Sequence, residues 1–95
     1  MVTAELPREV SFVTVALQRL GGRGSLTGIC RSVQELFPAW AAEAGGAARL
    51  GVAVRKVLED YTPGSATWLP DRHPCFELVA PEEYRLIPPG RQPRR

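Results

Sequence analysis

Residues 47–61 constrain this chain more than any other stretch. Leu50, Val54, Val57, Leu58 and Tyr61 fall at helical spacing and make one apolar stripe of an α-helix. Arg49, Val52 and Lys56 fall on the opposite side, where the helix is small and basic. An element of this kind serves either as a helix that reads a surface or as an ordinary core helix with a solvated back. In both cases its apolar stripe must be covered by the rest of a short chain.

With 95 residues the chain makes one small domain, over residues 1–88, with a Pro/Arg-rich tail at 89–95 that reads as disordered. One core fits this length and a large cleft does not. No apolar run reaches membrane-spanning length, and no basic region followed by a signal core opens the sequence. The expected location is cytoplasmic, with no membrane contact. Cys30 and Cys75 are too few for a disulfide scaffold, so both are expected as thiols.

The formal net charge of +2 hides a strong division. Residues 8–56 hold seven basic against three acidic groups, and residues 57–88 hold two against six. Arg91, Arg94 and Arg95 make the tail basic again. Such asymmetry bears on partners rather than on fold.

Taken in order, Pro7 suits a first helical turn. Val10, Val13, Leu17 and Leu20 then recur at helical spacing up to Gly21-Gly22, a C-terminal stop. The β-branched run Val10 to Val15 leaves a strand as the rival reading. Ser25 is a good N-cap for a second helix, whose stripe is Leu26, Ile29, Cys30, Val33, Leu36 and Phe37, closed by Pro38. Gly21 to Gly24 serves only as the connection. Pro38 to Ala44 suits a short helical turn holding Trp40. Thr62 to Ser65 is a turn, and residues 66–69 suit a short strand. Phe76, Leu78 and Ala80 alternate as the buried face of a strand. Pro81-Glu82-Glu83 reads as a tight turn with Pro81 placed as in a type I turn, and Tyr84 to Ile87 as the returning strand. Leu17, Ile29, Val54, Leu58, Phe76 and Leu86 are expected to meet in one core.

Helices followed by a β-hairpin, with Val13 to Gly22 (Val-x-x-Ala-Leu-x-x-Leu-Gly-Gly), Leu26 to Ile29, Val54 to Leu58, Gly64-Ser65, Phe76 and Tyr84 to Leu86 in this order and spacing, resemble one branch of the winged helix-turn-helix domains. That branch stands at the N-termini of some restriction endonucleases and in related small bacterial and phage proteins. The resemblance covers roughly residues 8 to 88. It implies an α+β winged helix, three helices followed by a β-hairpin wing, that contacts DNA or docks on protein without catalysis of its own. A homodimer is the expected assembly. Two features depart from the pattern. The wing tip is Glu82-Glu83, which phosphates repel. The exposed face of helix 47–61 offers neither Asn nor Gln for reading bases.

The DNA-contacting set expected from this placement is Arg23, Arg31, Arg49, Val52, Arg55 and Lys56, with Arg91, Arg94 and Arg95 of the tail. A scattered solvated surface is the alternative. Asp71, His73 and Cys75 share one loop, but Pro74 and the close spacing argue against zinc. Ser25, His73 and Asp60 have no nucleophile elbow, and Gly21 to Gly24 lacks the lysine and preceding strand of a phosphate loop. No metal, cofactor or catalysis is expected. Two functions stand open: a small transcriptional regulator that binds duplex DNA, and a protein-interaction module that regulates or inhibits a larger nucleic-acid machine.

Overall fold

The computed structural model describes residues 7–70 and 74–87. Four helices, α1 (Arg8–Arg19), α2 (Leu26–Leu36), α3 (Pro38–Glu43) and α4 (Ala47–Asp60), accompany three strands, β1 (Arg23–Ser25), β2 (Phe76–Ala80) and β3 (Glu83–Leu86). The strands form one antiparallel sheet in the order β1-β3-β2. The architecture is α+β, and the layout is compatible with that of a winged helix.

The helix boundaries follow local chemistry. α1 is a helix despite its β-branched run, because Val10, Val13, Ala16 and Leu17 make a continuous buried stripe. It ends in a Schellman motif: Gly22 N–H donates to the Leu17 carbonyl at 2.8 Å and Gly21 N–H to that of Gln18 at 3.0 Å. The Ser25 hydroxyl caps α2 by accepting from Gly28 N–H at 3.0 Å. Pro38 starts α3, which closes by the same device: Gly46 N–H donates to Ala41 O at 2.9 Å and Gly45 N–H to Ala42 O at 3.1 Å. Leu50, Val54 and Leu58 are the buried stripe of α4.

One core joins all of this. Leu17, Ile29, Val54, Leu58 and Phe76 are fully buried in a single cluster with Val10, Val13, Val33 and Leu50, while Leu86 packs against its edge half-buried. Trp40 is buried, and Trp68 is half-buried. Cys30 and Cys75 form no disulfide among the described residues, and both are half-buried.

The structure departs from the sequence reading at five places. Four helices replace three, since the Pro38 turn is a helix in its own right. The connection after α1 contains a strand: Arg23, Gly24 and Ser25 pair with Arg85, Tyr84 and Glu83. A Cβ at Gly24 would lie 2.7 Å from Leu20 Cδ1, so the end of α1 packs closely over this strand. Residues 66–69 form no strand: a turn takes 66–67, and 68–69 are irregular. Leu78 is 51% exposed, not buried. It lies on the edge strand β2, while the helices meet the sheet mainly through β1 and β3, so the buried place at that level goes to its partner Tyr84. The turn at Pro81-Glu82 is not type I, because Glu82 has φ +57. A register shift between Leu78 and Ala80 accompanies it.

Candidate nucleic-acid interface

Helical geometry sends Arg49, Val52 and Lys56 outward from α4 because Leu50, Val54 and Leu58 hold the other side in the core. Val52 is 73% exposed, and Ala48 beside it is exposed as well. Between α2 and the start of α4 lies a depression of about 280 Å³, lined by Thr27, Arg31 and Gln34 from α2 and by Ala47, Leu50 and Gly51 from α4. Arg31 thus stands on the α2 flank of α4. Arg49 stands on the other flank, against Gly45 in the α3–α4 turn.

The described residues hold eight basic and eight acidic side chains. Every one of those eight carboxylates has a cation within 3.9 Å. Arg8 faces Glu9 and Glu43, Arg19 faces Glu35, Lys56 faces Asp60, and Arg85 faces Glu77. Two arginines are left without a carboxylate partner among the described residues, Arg31 and Arg49, and both flank α4. Exposed pairs of this kind add little stability, but they decide where positive charge remains uncompensated.

The hairpin tip is the unexpected part. Glu82 and Glu83 are not free in solvent. The Arg55 guanidinium donates to Glu82 Oε2 at 2.6 Å, and Arg23 Nε donates to Glu83 Oε2 at 2.5 Å. Glu59 lies 3.9 Å from Arg55 on the same helix. The Glu82 hydrogen bond and charge hold Arg55 still more firmly protonated than an isolated guanidinium. Burial pushes the Tyr84 phenol up, with Glu59 and Glu82 adding to it and Arg55 opposing. Burial likewise raises the Cys30 thiol, and Arg55 opposes that rise.

The expected DNA-contacting residues therefore fall into three groups. Arg31, Arg49, Val52 and Lys56 surround the exposed face of α4. Arg23 and Arg55 are drawn to the hairpin carboxylates. Arg91, Arg94 and Arg95 lie outside the described residues, as do Asp71 and His73. Thr27 and Gln34 were not singled out from the sequence. Their signal was present, since Thr27, Arg31 and Gln34 follow helical spacing and form a polar stripe beside the apolar one.

Among the described residues, no group of three or more acidic, histidine or cysteine side chains could hold a metal ion. No helix among the described residues is long and apolar enough to cross a membrane. The chain matches no known protein family, no curated protein and no solved structure.

Proposed function

We propose that this chain is a non-catalytic winged helix-turn-helix protein that binds duplex DNA through the α2–α4 face, as a small transcriptional regulator does. The observation that carries the reading is the position of the uncompensated charge. Arg31 and Arg49 lie on opposite flanks of α4, as the phosphates of two strands lie on opposite sides of a groove. Between them Ala48 and Val52 leave the helix slim, which favours insertion into the major groove and contact with thymine methyl groups. Thr27 and Gln34 add hydrogen-bonding groups beside Arg31. Lys56, 72% exposed at its side chain, lies two turns further along the same face.

The test is titration of purified protein into duplex DNA across about 50 to 200 mM salt. Each phosphate contact contributes about 0.9 to the slope of log affinity against log salt. Steep loss of affinity supports the reading, and absence of binding at the lowest salt overturns it.

The pairing of Glu82 with Arg55 and of Glu83 with Arg23 favours a second reading. A hairpin whose charges are internally neutralised attracts phosphate weakly and suits a protein surface instead. In that case the chain is an interaction module of a nucleic-acid machine, and it binds no duplex in the salt series.

A further inference from the structure

The hairpin tip is fastened to the helical layer by groups that the core does not require. The Glu82 carbonyl accepts from Leu26 N–H at 2.8 Å, which ties the tip to the first residue of α2. The Glu82 side chain then reaches Arg55 on α4, and the next carboxylate reaches Arg23 on β1. Two consecutive carboxylates thus occupy two guanidinium groups from different elements. A carboxylate and a phosphate present the same paired oxygens to a guanidinium. The Glu82–Arg55 pair is open to water, with the two side chains 61% and 39% exposed. A competing oxyanion therefore reaches Arg55 without any unpacking of the core.

We infer that Glu82 and Glu83 form an anion latch: in the free protein they hold Arg55 and Arg23, and the phosphates of a bound duplex displace them. The inference rests on the duplex-binding reading. Arg55 becomes a phosphate contact only in the complex. The latch weakens every duplex complex by the same factor, so non-specific complexes, which depend most on phosphate contacts, fall below useful affinity first.

Four proteins test this: the parent, E82Q, R55A and the double variant, each titrated with one duplex over the salt series and each checked for folding by circular dichroism. Glutamine keeps the shape of the side chain and removes its charge. With Arg55 present, E82Q is expected to tighten binding severalfold with the salt slope unchanged, because Arg55 contacts phosphate in both complexes. In the R55A background the same change is expected to give no gain. Equal gains in both backgrounds indicate a general charge effect and overturn the latch. No gain with Arg55 present overturns it too. If E82Q does not fold, Glu82→Asn, which accepts a positive φ readily, replaces it under the same criteria. Failure of all four proteins to bind duplex at low salt overturns the binding reading itself, and the latch with it.

Discussion

Ser32 in α2 donates its hydroxyl to the backbone carbonyl of Ala16 in α1 at 3.1 Å. Both residues are buried. The bond answers a local need of α1: the N–H of Leu20 turns to the Leu17 carbonyl at 3.0 Å as the helix closes, and the Ala16 carbonyl takes its donor from the neighbouring helix. The bond also fixes the height of α2 against α1, and hence the place of the depression beside Arg31. Ser32→Ala leaves a buried acceptor unpaired and is expected to cost about 1–3 kcal/mol. An unchanged urea midpoint in that variant would sink this account of how α1 and α2 are held together.

Arg31 and Arg49 carry the duplex-binding proposal. The double variant R31A/R49A is expected to reduce the salt slope by about 0.9 for each phosphate that it no longer neutralises. If Arg49 reads a base, Arg49→Ala alone lowers affinity by about 1–3 kcal/mol and relaxes sequence preference. Stability is expected to stay within about 0.5 kcal/mol, because both side chains are exposed. Unchanged DNA affinity in the folded double variant would remove α4 as the binding element.

Leu58 is fully buried on α4 in the common core. Leu58→Ala is expected to cost about 2–5 kcal/mol, a large share of a small domain's stability. A thermal midpoint lowered by only a degree or two would show that α4 is not central.

Gly21 and Gly45 occupy equivalent places after α1 and α3, with φ +88 and +108. A Cβ at Gly21 meets nothing within 4 Å, whereas at Gly45 it falls 2.7 Å from Arg49 Cβ. Gly21→Ala is therefore expected to cost about 1–2 kcal/mol for the left-handed backbone alone. Gly45→Ala is expected to cost more and to displace Arg49. Equal melting temperatures for the two variants would contradict this.

Burial raises the Cys75 thiol, and burial with Glu59 and Glu82 raises the Tyr84 phenol. Each group keeps its proton longer in the folded chain than in the unfolded one. Their contribution to stability is complete below the unfolded values, about 8.5 for a thiol and about 10 for a phenol. It is lost as pH rises from there through the folded values. Denaturation at a series of alkaline pH values is expected to show stability falling across this window. Cys75→Ala is expected to remove only part of its lower range, since the raised Cys30 thiol contributes there as well, and a flat profile in the parent would refute the assignment.

The sequence by itself determined the helices and much of the core. Periodic apolar residues, the Ser25 cap, the stop at Gly21-Gly22 and Pro38 at its helix start act within one turn of the chain, so each is read from near neighbours. The outward placement of Arg49, Val52 and Lys56 follows from the same periodicity. The tertiary structure decided what depended on distant residues. Arg23 to Ser25 is a strand only because β3 lies beside it, since three residues around a glycine hold no strand pattern of their own. Leu78 is exposed because it lies on the edge strand β2, where its partner Tyr84 takes the buried place at that level. Which arginines remain uncompensated was equally hidden. Arg55 and Glu82 are 27 positions apart, and Arg23 and Glu83 are 60 apart. Charge compensation acts through space over a few ångströms, so Arg31 and Arg49 stand apart from the other basic residues only once folding has placed every carboxylate.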